Sequence, residues 1–115
     1  MTTIAISMTN TILILTVTAY CHCARCCGKA NQPTASGATP LAGRTIAASR
    51  SIPFGTVIDL PGIGLRRVED RLSRRFDNRI DLFMPSHQQA LQFGKQKLAV
   101  TVRPVTLPAS KNLPR

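Results

Sequence analysis

Acidic residues are scarce in this chain, and their placement is where chemistry could reside. Asp59, Glu69, Asp70, Asp77 and Asp81 stand against 15 Lys and Arg, and four of the five fall within thirteen residues. Asp70 lies in Val68-Glu69-Asp70-Arg71 and Asp81 in Asn78-Arg79-Ile80-Asp81, eleven positions apart. If the intervening loop folds back, the two carboxylates meet at one end of a sheet. Held close, they repel when both are ionised, so one keeps its proton towards neutral pH and can act as an acid. The neighbouring Arg66, Arg67, Arg71, Arg74, Arg75 and Arg79 oppose that shift or hold an anionic substrate. From spacing alone, surface ion pairing in a basic loop is the simpler account.

A second group of reactive side chains is more compact. Cys21, Cys23, Cys26 and Cys27 occupy seven residues together with His22. Local disulfides bracing a loop in an oxidising compartment are the expectation for all four, although adjacent Cys26 and Cys27 are poor partners for each other. The competing pattern is a metal knuckle from Cys23, Cys26 and His22. Ligands so crowded rarely wrap one ion without a distant second knuckle, and His87 lies some sixty residues on. No metal and no cofactor is therefore expected, and His87 is assigned an ordinary place on the first turn of a helix.

The elements that must position these groups are short. The chain has 115 residues and 12.5 kDa, enough for one domain. Aromatic residues are only 4% and Trp is absent, so the core must be aliphatic. β-rich runs at 12–20, 44–48, 56–60, 65–69, 80–84 and 97–103 are punctuated by Pro40, Gly43, Pro53, Gly55, Pro61, Gly62 and Gly64. Leu60-Pro61-Gly62-Ile63-Gly64-Leu65 reads as a hairpin. One helix is predicted over 86–93, with a Ser86-x-x-Gln89 capping box and Gly94 to stop it. Six strands and one short helix suggest an all-β domain closed into a small barrel, since closure removes sheet edges. Residues 12–103 form that domain, 1–11 read as an extension or remnant signal, and 104–115 as a loose tail. No run is long and apolar enough to span a membrane. Phe54, Phe76, Phe83 and Phe93 are expected mainly in the core.

Several short motifs arrive in a fixed order: Thr16-Val17-Thr18-Ala19-Tyr20-Cys21, Cys26-Cys27-Gly28, Thr34-Ala35-Ser36-Gly37, Gly43-Arg44-Thr45-Ile46-Ala47, Ile52-Pro53-Phe54-Gly55-Thr56, Val68-Glu69-Asp70, Asn78-Arg79-Ile80-Asp81, Pro85-Ser86-His87 and Ala90-Leu91-Gln92-Phe93-Gly94. Together they resemble the three-aspartate (3D) domain of bacterial and phage cell-wall proteins, related to membrane-bound lytic transglycosylase A and rare lipoprotein A. The resemblance covers about residues 14–102. It implies a six-stranded double-psi β-barrel in the cell envelope, acting as a monomer on peptidoglycan glycan strands. The implied reaction is β-1,4 cleavage between N-acetylmuramic acid and N-acetylglucosamine, leaving a 1,6-anhydro end. Because the sugar's own C6 hydroxyl attacks, one carboxyl can protonate the leaving oxygen and then take the hydroxyl proton. The resemblance assigns Asp70 that acid/base role and Asp81 the tuning role, with the reverse assignment open.

The chain departs from the family pattern in three places. Ala47-Ala48-Ser49-Arg50 stands where the first acid is usual, so Ser49 is a stand-in hydrogen-bonding group. Arg71-Leu72-Ser73-Arg74 replaces a glycine-rich loop, and Asp77 stands where Gly is common, making it an auxiliary carboxylate or a solvated loop residue. Tyr20, Thr34, Ser36, Arg71 and Arg79 are expected to contact substrate. These departures motivate an alternative, a wall-binding module with little or no turnover. The net charge of +10 motivates a third class, nucleic-acid binding. A stacking surface and a nucleic-acid motif are both missing, so that partner is not expected.

Overall fold

The computed structural model of the chain describes residues 9–21, 23 and 33–103. The tail at 104–115, most of the extension at 1–11, and His22, Cys26 and Cys27 lie outside the described residues. Six strands are present: β1 (Thr11–Tyr20), β2 (Thr45–Ala48), β3 (Val57–Leu60), β4 (Gly64–Arg71), β5 (Arg79–Phe83) and β6 (Gln96–Val102). A 3-10 turn at Arg74–Phe76 precedes β5, and helix α1 (His87–Phe93) precedes β6. Strand ends fall within about two residues of the sequence expectation because turn residues dictate them. Gly62, for example, takes φ 77° in the turn between β3 and β4, which costs a glycine nothing. The Ser86 hydroxyl accepts from the Gln89 N–H at 3.1 Å, and Gly94 closes α1 at φ 69°.

The strands close into an all-β barrel in the order β1-β5-β2-β4-β3-β6. β1·β5 and β2·β4 are parallel, whereas β1·β6, β2·β5, β3·β4 and β3·β6 are antiparallel. Exchanging β1, β2 and β3 with β4, β5 and β6 reproduces the same cyclic order and the same pair directions. That connectivity is the double-psi β-barrel. The two halves share no evident sequence repeat, since TIAA in β2 corresponds to RIDLF in β5.

Val17, Ile46, Ala48, Ile58, Leu60, Val68, Ile80, Leu82 and Val100 fill the interior. Every strand contributes, and every contributor is aliphatic, as the composition requires. The phenylalanines divide: Phe83 is buried and Phe93 packs against the core, whereas Phe54 is exposed and Phe76 half-buried. Arginines cover the latter pair, with Arg71 3.9 Å over Phe54 and Arg79 4.2 Å over Phe76. In so basic a chain, guanidinium stacking replaces burial as the way to shield a ring. Among the described residues, no helix is long and apolar enough to cross a membrane.

Candidate active site

Register brings the two aspartates together. Asp81 pairs with Thr18 of β1 on one side and with Ala47 of β2 on the other. Ala47 in turn pairs with Asp70 of β4, so Thr18, Asp81, Ala47 and Asp70 form one row across four strands. Ile80 and Leu82 point into the core, so Asp81 between them faces outward, as does Ala47 between Ile46 and Ala48. Regular alternation would turn Asp70 inward, two positions after the core residue Val68. A register shift prevents this: Ile46 pairs with Val68, but Ala47 pairs with Asp70, so β4 carries one extra residue at Glu69. Such a β-bulge re-aims the side chains that follow it, and here it places Asp70 on the outer face beside Asp81.

Glu69 pins the bulge. Its buried carboxylate accepts from Thr45 Oγ1 at 2.7 Å and from Arg44 Nε at about 3.1 Å. This acid holds the segment before β2 in place and is part of the scaffold.

Two strand spacings separate the Asp70 and Asp81 backbones, on the order of 9–10 Å. Between them Ala47 is too small to fill the space. The resulting pocket of about 260 Å³ is lined by both acids together with Tyr20, Ala47, Arg71, Leu72, Ser73 and Phe76. The two carboxyls have different surroundings. Asp70 Oδ2 accepts from the Tyr20 hydroxyl at 3.0 Å, and Oδ1 accepts from the backbone N–H groups of Ala35 and Arg71, each at 2.9 Å. These three donors fix the orientation of the carboxyl. Asp81 accepts a hydrogen bond from the Thr18 hydroxyl. Burial is the main cause that pushes the Asp81 carboxyl above its ordinary value; the Thr18 bond and the Arg79 charge oppose the rise, and Asp70 adds a smaller push. Repulsion between the two acids was the expected cause. In the structure desolvation dominates, because Asp81 is half-buried and the acids are two strands apart.

The remaining expected site residues separate into two sets. Tyr20 and Arg71 line the pocket, and Arg71 is held by the Ser49 carbonyl at 3.2 Å and by the Phe54 ring. Burial and Arg50 pull the Arg71 pKa down, while Asp70 supports it. Arg79 stacks on Phe76 and acts on Asp81 through its charge. Thr34 and Ser36 shape a turn: their hydroxyls lie 3.0 Å apart, and Thr34 Oγ1 donates to the Ala38 carbonyl at 2.8 Å. That turn docks on β4 through Ser36 N–H to the Glu69 carbonyl, 3.1 Å, which delivers the Ala35 N–H to Asp70. Ser36 also lines a neighbouring 230 Å³ pocket with Phe54, Arg67 and Glu69. Ser49 turns its hydroxyl to Ser51 at 3.0 Å and does not line the acid pocket. Asp77 is exposed at the end of the 3-10 turn, also away from it. Thr18 and the Ala35 N–H are partners of the two acids that sequence spacing missed. The parallel β1·β5 register could not be read from the sequence, and a backbone donor leaves no residue signature.

Cys21 and Cys23 hold their sulfurs 2.9 Å apart, well beyond the ~2.05 Å of a disulfide bond. His87 lies against both, so the helix residue set aside on grounds of sequence distance is a neighbour of the cysteines.

The class the molecule defines is a six-stranded double-psi β-barrel with paired aspartates in an outer-face cleft. Comparison with models of protein families and with curated proteins finds no match to this chain.

Proposed function

We propose that the protein is a lytic transglycosylase of the bacterial cell wall in which Asp81 is the acid/base and Asp70 its partner, held in place by three hydrogen-bond donors. The observation that carries this is the unlike environment of the two carboxyls in one pocket. A desolvated carboxyl whose pKa is raised, facing a second carboxyl held by three donors, is a pairing suited to glycosidic cleavage. Asp81 donates its proton to the oxygen of the scissile β-1,4 bond as that bond breaks. The C6 hydroxyl of the same muramyl residue then attacks C1, and its proton passes to the Asp81 carboxylate, restoring the acid. Asp70 stabilises the positive charge that develops on the sugar ring between these events. The role assignment is the reverse of the one expected from the sequence motif.

A pocket of 260 Å³ lies just below the ~300–1,000 Å³ common for ligand sites, the scale of one sugar ring. Arg71 and Arg79 supply guanidinium groups beside it, suited to the lactyl and peptide carboxylates of the wall. The proposal also rests on the ordered motifs that resemble the 3D domain. Incubating the protein with purified peptidoglycan should release muropeptides with 1,6-anhydro ends, identified by mass spectrometry. Wall that pellets with the protein and yields no anhydro product would favour the binding-module alternative. One observation favours that alternative: apolar Ala47 stands between the acids and Ser49 does not line the cleft, so no third carboxylate joins them there.

A further inference from the structure

We propose that Cys21, Cys23 and His87 form a structural zinc site that staples the end of β1 to the start of α1. The ligand atoms, two Sγ and His87 Nδ1, all lie within 4.8 Å of one another. His87 Nδ1 stands 3.8 Å from Cys21 Sγ and 3.6 Å from Cys23 Sγ. Zn–S bonds of about 2.3 Å and Zn–N bonds of about 2.0–2.1 Å at tetrahedral angles put sulfur about 3.6 Å from nitrogen. The observed distances match that span. The same geometry puts two sulfurs about 3.8 Å apart, so the 2.9 Å pair must open by about 0.9 Å around an ion, a side-chain rotation for two residues flanking a single loop position.

The fold makes the meeting. Tyr20 pairs with Phe83, and the Met84 N–H donates to the Tyr20 carbonyl at 2.7 Å, so the parallel ladder runs to the last residue of β1. Beyond it Pro85 and the Ser86 cap turn the chain into α1, which packs against β1. His87 therefore emerges beside the cysteines although 64 positions separate it from Cys23. This is the distant partner that the crowded cysteine segment needs. Two thiolates and an imidazole suit zinc better than hard cations. Cys21 is buried, and none of the three ligand residues lines the acid pocket, so the ion holds the fold and takes no part in bond cleavage.

The test uses the full chain, purified under reducing conditions. Elemental analysis is expected to give one zinc per chain, and Co²⁺ loading to give thiolate charge-transfer absorption with the intense visible bands of tetrahedral cobalt. In competition with a chromophoric chelator, His87→Ala is expected to weaken zinc at least tenfold while the far-UV spectrum stays that of the barrel. His87→Cys is expected to restore affinity and add thiolate absorption to the cobalt spectrum, which lost helix packing would not do. Absence of bound zinc, or His87→Ala with unchanged zinc affinity, would overturn the proposal. Asp81→Asn should retain full zinc, so failure of the glycan reading leaves this result untouched.

Discussion

Asp81 is half-buried and accepts a hydrogen bond from Thr18, and burial raises its pKa. The folded protein therefore binds a proton there more tightly than the unfolded chain does. The sign follows: this residue's favourable contribution is complete below the ordinary value of 3.8 and is lost as pH rises from there through the raised value. Asp81→Asn keeps an acceptor for Thr18 without a charge to desolvate. It is expected to melt higher than the parent at neutral pH and to match it in acid, by calorimetry across that range. Asp70 behaves differently because three donors hold it. Tyr20→Phe removes one of these, a bond worth about 0.5–1.5 kcal/mol. A fall in kcat/KM on peptidoglycan of up to roughly tenfold, with the melting temperature lowered by a few degrees, is the expected result.

At the scale of elements, the site depends on two features of β2 and β4. One is the bulge at Glu69, without which Asp70 would alternate into the core; the other is the small side chain of Ala47. Ala47→Val fills the gap between the acids and is expected to abolish product release while the protein still pellets with insoluble wall. Retained turnover would mean the glycan does not enter between Asp70 and Asp81. The elements themselves were legible in the sequence. Gly62, Gly94, Pro61 and the Ser86 cap fix where strands and the helix stop, and those signals are local. The bulge was not legible, because Val68-Glu69-Asp70 carries no glycine or proline to announce it. Its cause is tertiary: the Glu69 carboxylate anchored by Thr45 and Arg44 from another segment. The same limit hid His87, whose neighbours are set by the β1·β5 register, and it put Ser49 and Asp77 on the expected site list when neither lines the pocket.

For the molecule as a whole, a single aliphatic barrel carries a net charge of +10. Arg71 lines the acid cleft and Arg79 stacks on Phe76 at its edge, so part of that charge stands beside the cleft. Association with the wall should be strongly salt-dependent, because exposed charges are screened within about 10 Å at 0.1 M salt and about 3 Å at 1 M. Co-sedimentation with insoluble peptidoglycan is expected to fall steeply over that range. Salt-independent pelleting would point to contacts other than charge. Barrel closure was inferable from six short strands in a small chain. The interlocked order of those strands was implied by the family resemblance and not by spacing, since the two halves agree in connectivity and not in side chains.

The central claim is that Asp81 carries the transferred proton, and the most direct measurement is the yield of 1,6-anhydro-muropeptides from the parent and Asp81→Asn proteins under identical conditions. A drop of about 10²–10⁴-fold with the fold intact is the predicted result. Equal yields from the two proteins would contradict it.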